Sequence, residues 1–451
     1  MLNENDLSKI LKVSLPKLVI EDIEWKVQDS KATSLLFYKI GTDSKSIDLF
    51  QDRISQFPFA WLVVNRAIPN LPKNCSVIHE NDWPRIQKEL LDLIYPLPNI
   101  KIFALTGTNG KTTTTDLVLQ LGTLAGKKGL SIGTLGVREY QKTLLDFGQT
   151  SPGLIDLRKF LNRFGQDKDF CVLEASSHAL IQERLYGLKF DSAGWLSFSQ
   201  DHLDYHQTMD EYFQAKTLIF NYLKADSKLF VPHEQKELFQ RLSELYASKV
   251  TTAPLIHDPL PLFFKVRFNK NNLEVARAII ESAYQVNSFD YEKLIPPEGR
   301  FYVRPYRSNF IVVDFAHTPD ALDNICQAIR ESFPKHKVKV LFGCGGDRDR
   351  TKRPQMGQVV DHWADEIYVT SDNPRSEDPD QIIDDILRGI KSHSVVRIVE
   401  RPDAVKEAFK QLTENEILLL AGKGHEDYIL KHGIKYPYSD IREVDNFLSG
   451  K

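Results

Sequence analysis

Five short apolar runs occupy the last third of the chain: Phe310–Phe315, Val338–Phe342, Glu366–Thr370, Val395–Val399 and Ile417–Ala421. Helical patterns fill the gaps, for example Ala321–Ser332 and Ile382–Ile390. Strand and helix patterns in alternation leave few folds open, and the reading is a parallel, doubly wound sheet. Ligands of such sheets bind beyond the carboxyl ends of the strands. Polar clusters stand at those ends. His317-Thr318-Pro319-Asp320 follows the first run and Gly343-Cys344-Gly345-Gly346-Asp347-Arg348-Asp349-Arg350 the second. Asp372-Asn373-Pro374-Arg375 follows the third and Gly422-Lys423-Gly424-His425-Glu426 the last. One such cluster would be ordinary loop chemistry; four on one sheet edge predict a site.

The central region repeats the arrangement. The apolar run Ile100–Leu105 leads into Thr106-Gly107-Thr108-Asn109-Gly110-Lys111-Thr112-Thr113, and a helical pattern follows with Leu117, Val118, Leu121 and Leu124 on one face. Strand, glycine turn, Lys-Thr and helix form a phosphate-holding device. Glycines let backbone N–H groups turn toward the anion, and the helix N-terminus adds partial positive charge. Lys111 would reach the terminal phosphates and Thr112 would offer its hydroxyl to Mg²⁺. The spacing departs from G-x-x-x-x-G-K-[ST], because Leu105 stands where the first glycine belongs.

A second strand run, Cys171-Val172-Leu173, ends in Glu174-Ala175-Ser176-Ser177-His178. Glu174 suits Mg²⁺, directly or through water, though a capping carboxylate has the same pattern. Asp201-His202-Leu203-Asp204-Tyr205-His206 fits a metal site or a hydrogen-bonding loop equally well.

Composition narrows the class. The chain has 451 residues, enough for two or three domains, with 42% hydrophobic and 26% charged residues, as in ordinary globular proteins. A net charge of −3 argues against a general nucleic-acid binder. No apolar run has membrane-spanning length, and no secretory signal opens the chain. Four scattered cysteines, Cys75, Cys171, Cys326 and Cys344, point to buried packing in a reducing cytoplasm. Tyr95–Asn99 and Pro296-Pro297-Glu298-Gly299-Arg300 are the expected junctions. They divide the chain into 1–97, 98–296 and 297–451.

These motifs, in this order, resemble the Mur ligases, the ATP-dependent amide-forming enzymes of bacterial peptidoglycan synthesis. The shared set is Thr106–Thr113, Glu174–His178, Asp201–His206, Gly299-Arg300, Asp314–Asp320 and the C-terminal clusters, and it covers about residues 100–445. Within the family the chain is most similar to the MurE type, which adds the third residue of the stem peptide. The resemblance implies an α/β fold of three domains: an N-terminal domain for the uridine-nucleotide substrate, a P-loop-type central ATPase domain and a Rossmann-like C-terminal domain for the amino acid.

The implied reaction has two steps. ATP phosphorylates a carboxylate of UDP-N-acetylmuramoyl-L-alanyl-D-glutamate, and an amine then displaces phosphate from the acyl phosphate. Residue roles follow by the same resemblance. Lys111, Glu174, His202 and Lys216 are the catalytic set. Gly107, Thr108, Asn109, Gly110, Lys111, Thr112, Thr113, Arg300 and Asp314 are expected around ATP. Thr112 and Glu174 would serve one Mg²⁺ and His202 a second. Lys216 would be carbamylated, whereas the residues alone make it a solvated helix lysine. Thr150, Ser151, Ser176, Gln182 and Arg184 match positions holding the nucleotide-peptide.

For the amine, Asp372-Asn373-Pro374-Arg375 is the pattern of ligases that add meso-diaminopimelate. That amino acid carries a distal carboxylate that lysine lacks, and an arginine fork recognises carboxylates. Arg348, Gly422 and Glu426 match further positions around it, and Glu426 would pair with its distal ammonium. The plain alternative is that Arg375 caps a loop or pairs with Glu377 or Asp378. The expected partners are these small molecules, with no nucleic acid and no membrane insertion, for a cytoplasmic monomer.

The N-terminal region departs from the family pattern. Asp29-Ser30-Lys31 and Ser34-Leu35-Leu36-Phe37 stand out of register, and no uridine contact is assigned. Ser197 replaces an expected Asn, and Gln149-Thr150-Ser151-Pro152 varies the substrate loop. Rival readings are a lysine-adding or other Mur-type ligase, a folylpolyglutamate-synthetase-like ligase, and a nucleotide-binding scaffold without activity.

Overall fold

A computed structural model describes residues 1–450 apart from 287, 298 and 393; Glu298 of the second expected junction thus lies outside the described residues. The chain divides into two compact units. One comprises Met1–Thr106, Ala125–Ala193 and Ala215–Lys228; the other comprises Gly107–Leu124, Gly194–Gln214 and Leu229–Lys451.

The first unit opens with a parallel four-stranded sheet in chain order: β1 (Asp22–Glu24), β2 (Ser34–Tyr38), β3 (Trp61–Val64) and β4 (Cys75–Val77). Side chains alternate across a strand, so Leu35, Phe37, Trp61 and Val63 share one core while Leu36, Leu62 and Val64 share another. Both faces are buried, as a parallel sheet requires. Helix Trp83–Ile94 covers the first face with Ile86, Leu90 and Leu91, and Leu154 and Ile155 join the same core. Ser30 Oγ donates to the Val27 carbonyl at 2.7 Å, and Lys31 N donates to Ser34 Oγ at 2.9 Å. The Asp29–Lys31 segment therefore braces the entry to β2.

The unit's second sheet has β5 (Lys101–Thr106), β6 (Gly129–Gly133), β7 (Gly136–Glu139), β8 (Lys142–Leu145) and β9 (Phe170–Glu174), in the order β8-β7-β6-β9-β5. Parallel pairing aligns Phe170 with Lys101 and with Gly129. Glu174 thus lies at the carboxyl end of β9 beside Leu105, and the β6 end at Gly133 is on the same edge.

In the second unit, β10 (Leu229–Val231) and β11 (Val250–Thr252) pair in parallel. The helix Lys111–Leu124 is buried over nearly its whole length, from Thr112 to Gly122. The sequence pattern showed a single apolar face; packing against helix Arg267–Tyr284 buries its threonines as well.

The C-terminal sheet contains β12 (Tyr302–Tyr306), β13 (Asn309–Asp314), β14 (Lys337–Phe342), β15 (Glu366–Val369), β16 (Val395–Arg397) and β17 (Glu416–Ala421). Their order is β12-β13-β17-β14-β15-β16, with only β12 antiparallel to its neighbour. The doubly wound sheet read from the alternation is present, and all four polar clusters leave its carboxyl edge. Hairpin strands β18 (Tyr428–Lys431) and β19 (Ile434–Pro437) follow the last cluster. Cys326 and Cys344 are buried free thiols, pushed up to about 12 by burial. No helix among the described residues is long and apolar enough to cross a membrane.

Candidate active site

The phosphate-loop segment Gly107–Thr113 belongs to the second unit. Gly110 has φ +89°, and a Cβ there would lie 2.6 Å from Asn272 Oδ1, so both backbone and space call for glycine. The loop is pinned by the segment after Trp195. Thr108 N donates to the Ser197 carbonyl at 3.0 Å, and Asn109 N donates to Ser197 Oγ at 2.9 Å. Thr108 Oγ1 accepts from Ser199 N at 3.0 Å, and Asn109 Nδ2 donates to Asp320 Oδ2 at 2.8 Å. Lys111 Nζ donates to the Gly107 and Thr108 carbonyls at 2.8 and 3.0 Å, which holds its charge inside the loop's curve.

A cavity of about 370 Å³ opens beside this loop. Asn109, Gly110, Thr113, Ser197, Asn269, Asn272, Arg300, Asp314 and His317 are among its lining residues. The Arg300 guanidinium lies 4.4 Å from the Phe315 ring centroid, a cation–π contact. Asp314 accepts from Phe301 N and Ala316 N, each at 2.7 Å. Burial raises its pKa, against the attraction of Arg300. Its carboxylate therefore braces backbone as well as lining the cavity.

Hydrogen bonding and ring packing engage parts of the Asp201–His206 segment. Asp201 accepts from Lys352 Nζ at 2.5 Å, and His206 packs on Tyr212 with ring centroids 5.0 Å apart. Burial would raise the Asp201 pKa, but His202, Lys352 and His317 together hold it below the carboxylate range. Among the described residues no three His, Cys, Asp or Glu side chains converge as a metal-holding group.

In the first unit Glu174 is only 2% exposed. Its Oε1 accepts from Thr134 N at 2.8 Å, and Thr134 Oγ1 lies 3.1 Å from Oε2 and 3.3 Å from Thr150 Oγ1. Ser151 Oγ donates to the Glu174 carbonyl at 2.7 Å and lies 3.1 Å from Ser176 Oγ. Arg184 Nη1 donates to the Ser151 carbonyl at 2.7 Å, while Nε and Nη2 both reach Gln182 Oε1. Thr150, Ser151, Ser176, Gln182 and Arg184 thus form one cluster around the end of β9. Lys216 is 1% exposed, which overturns the residue-only reading of a solvated lysine. Neighbouring residues of its helix, Tyr212, Phe213 and Ala215, are buried as well, so the lysine stem is carried inward.

The clusters after β15 and β17 meet around Lys423, whose side chain is fully buried, and the cluster after β14 joins them through Gly346 N, which donates to the Asn373 carbonyl at 2.9 Å. Its Nζ donates to Asn373 Oδ1 and the Tyr428 carbonyl, each at 2.7 Å, and lies 3.1 Å from Glu426 Oε2 and Asp372 Oδ1. Burial would raise the Asp372 pKa, but Lys423 and Arg401 hold it below the ordinary value. Arg375 has φ +54°, and its Nη1 donates to the Gly346 carbonyl at 2.6 Å. Glu377 pairs with Arg350 and Arg353, and Asp378 caps helix Pro379–Leu387. Neither carboxylate neutralises Arg375, which removes the ion-pair alternative and leaves the loop-capping contact beside an available fork. Burial and the adjacent Arg348 both lower the Arg375 pKa. Asp372, Glu426 and Asp347 act against this, and the half-buried Arg375 with the exposed Arg348 presents a two-arginine edge that favours an anion.

Family models match in two places: the Mur ligase middle domain over residues 105–275, and the Mur ligase, glutamate ligase domain over residues 299–424. A UDP-N-acetylmuramoyl-L-alanyl-D-glutamate--2,6-diaminopimelate ligase of Aquifex aeolicus is 36% identical, with 79% of each chain covered. The chain belongs to the Mur ligase family. A ligase of the same name from Clostridium acetobutylicum, numbered 1 there, is 30% identical over 94% of each chain. A solved structure titled for the same ligase covers 98% of both chains with a TM-score of 0.62 at 26% identity. The MurF ligase of Thermotoga maritima, solved with ADP, covers 90% of this chain and 95% of its own, with a TM-score of 0.62 at 14% identity, and shows the fold alone.

Several site residues of this Mur ligase were not singled out from sequence. Thr134 faces Glu174 because Gly133 leaves room, since a Cβ at 133 would lie 2.3 Å from Glu174 Oε1. Asn269 and Asn272 look like ordinary helix positions in sequence; two asparagines on a buried helix face are the signal that pointed to them. Lys423 is flanked by glycines at a sheet end, a setting where a solvated lysine is the default.

Proposed function

We propose that this Mur ligase joins meso-diaminopimelate to UDP-N-acetylmuramoyl-L-alanyl-D-glutamate at the expense of ATP, through an acyl phosphate. The names of the relatives support the nucleotide-peptide and the amine. The observation that carries the choice of amine is Arg375, a cation beside Arg348 with no carboxylate in ion-pairing distance among the described residues. Lysine would offer this pair nothing to bind, whereas the distal carboxylate of diaminopimelate fits an arginine fork.

A carboxylate is a poor electrophile, and phosphorylation supplies its leaving group. Charge develops on phosphoryl oxygens, so catalysis is positioning and electrostatics. In the second unit we assign the nucleotide to the cavity beside Gly107–Thr113, with Arg300 and Asp314 at its wall and Lys111 as the phosphate cation. In the first unit we assign the muramoyl peptide to Thr150, Ser151, Ser176, Gln182 and Arg184. Asp372, Asn373, Pro374, Gly422 and Glu426 would frame the amino acid with Arg348 and Arg375, Glu426 receiving its distal ammonium.

Magnesium fits the donor types, since Thr112 in the second unit and the buried Glu174 in the first offer hard oxygens; by the resemblance these two would serve one ion and His202 a second. When bound it would neutralise phosphate charge. Carbamylation of Lys216 would replace a buried cation by an anion, which would suit a bound magnesium ion better than a free ammonium does. The domain division 1–97, 98–296 and 297–451 is part of the same reading, as is action in the cytoplasm as a monomer.

The test is ADP and phosphate release with meso-diaminopimelate, L-lysine and D-glutamate side by side, with and without the UDP-muramoyl dipeptide. Release that needs the dipeptide and prefers diaminopimelate supports the reading. Preference for lysine reassigns the amine, and release without the dipeptide sinks the ligase assignment.

A further inference from the structure

The amine that attacks an acyl phosphate arrives as an ammonium, so something must first remove a proton. Of the acceptors already named in the second unit, Asp372 and Glu426 are paired with Lys423, and His202 is proposed for magnesium. His317, which follows β13 in the same cluster as Asp320, lines the cavity beside the phosphate loop. Its Nδ1 lies 2.8 Å from the Phe315 carbonyl oxygen, which is an acceptor only. Nδ1 therefore carries the ring proton, and the lone pair is left on Nε2. The ring is steadied on its other side by Phe315, with centroids 4.8 Å apart at 65°.

We propose that His317 is the general base that takes a proton from the incoming amine through Nε2. This assignment rests on the ligase reading above. The balance is as follows. Nε2 takes one proton from the ammonium, and the freed nitrogen pair forms the C–N bond. As the tetrahedral intermediate collapses, the C–O bond to phosphate breaks with its electron pair. The second nitrogen proton leaves with phosphate, and the imidazolium returns its proton to solvent.

The charges around the ring suit this cycle. His317 is exposed on the cavity wall, so solvent weakens the desolvation that lowers its pKa; Lys352 and Arg300 act in the same direction and favour a neutral, accepting ring. Asp201 opposes them and would stabilise the imidazolium once formed. Asp314 and Asp372 also feel the ring's charge. The ends of β13 and β17 are adjacent, since Gly422 N donates to the Asp314 carbonyl at 3.0 Å and the Phe315 and His425 rings lie 5.2 Å apart, so His317 follows the strand beside the one that carries Gly422 and Glu426 of the amino-acid cluster.

The experiment compares the wild-type chain with His317→Gln and His317→Asn, in ligation and in hydroxylamine trapping of the acyl phosphate. Hydroxylamine is largely unprotonated at neutral pH and needs no base. The expected result is a fall in kcat for diaminopimelate of about 10²- to 10⁴-fold with KM near wild type. Hydroxamate formation from saturating ATP and the UDP-muramoyl dipeptide should fall far less than ligation does, because saturation offsets any loss of nucleotide binding at a cavity that His317 lines. The acidic limb of the wild-type kcat–pH profile should be lost in both variants. Wild-type kcat in both variants overturns the assignment, as does a hydroxamate rate that falls in parallel with ligation, since that marks a structural role. No hydroxamate from the wild-type chain would instead overturn the ligase reading, and this assignment with it.

Discussion

Replacing Arg375 by alanine removes the fork proposed to hold the distal carboxylate. Among the described residues the side chain makes one hydrogen bond, to the Gly346 carbonyl at 2.6 Å, in a half-buried setting. Losing that bond costs about 1 kcal/mol of stability, which a domain of this size tolerates. The positive φ at 375 is no worse for alanine than for arginine. The loss in substrate binding is larger. Hydrogen bonds to charged groups are worth about 1.5–3 kcal/mol, and Arg348 stays behind to supply part of the attraction. A net loss of about 2–3 kcal/mol corresponds to a fall of roughly 30- to 150-fold in kcat/KM for meso-diaminopimelate. The assay is steady-state ligation at saturating ATP and UDP-muramoyl dipeptide, with L-lysine as the alternative amine. Lysine turnover, lacking the carboxylate, should change little, and so should trapping of the acyl phosphate by hydroxylamine. Arg375→Lys should fall between, because it keeps the charge and loses the fork. Unchanged kcat/KM for diaminopimelate, or an equal fall with lysine, refutes the argument.

Lys111→Ala should abolish dipeptide-dependent ADP formation while the thermal unfolding midpoint stays close to wild type; phosphate release at the wild-type rate would refute the phosphate-loop role. Lys423→Met should destabilise the chain by about 3–5 kcal/mol near pH 7, because the buried Asp372 and the partly buried Glu426 lose their shared cation. With Lys423 present, Asp372 is held below its ordinary pKa and contributes stability above about pH 4, lost as pH falls through its folded value. Without Lys423, burial dominates and Asp372 favours its proton, so the deficit should shrink as pH falls toward 4; urea midpoints of both chains across pH measure this, and a constant deficit counts against it. Gly133→Ala should displace the Glu174 carboxylate, since the new Cβ would lie 2.3 Å from Oε1. Ligation should then fall by about 10-fold or more with small loss of stability, and wild-type activity would show that the position of Glu174 does not matter.

Much of this was written locally. Alternating runs placed β13, β14, β15, β16 and β17 in the C-terminal sheet, because strand and helix periodicities differ and a parallel sheet demands crossovers. The phosphate loop is equally local: glycine conformations and a following helix need only a dozen residues. The residue types of the amino-acid cluster were legible as well, since each follows a strand whose end the fold brings to one edge. What sequence could not supply was partnership across the chain. Ser197 holds the loop at Asn109 from 88 positions away, and Asn109 reaches Asp320 across 211. Lys216 reads as a solvated lysine, and Lys423 as one more polar residue of a loop cluster, until packing buries them, because burial of a long cationic side chain is decided by what surrounds it. The sequence by itself determined the strands, the turns and the chemistry available at their ends. Only the tertiary structure decided which charges are desolvated, which are neutralised and which remain for a substrate, because those depend on neighbours that no local pattern records.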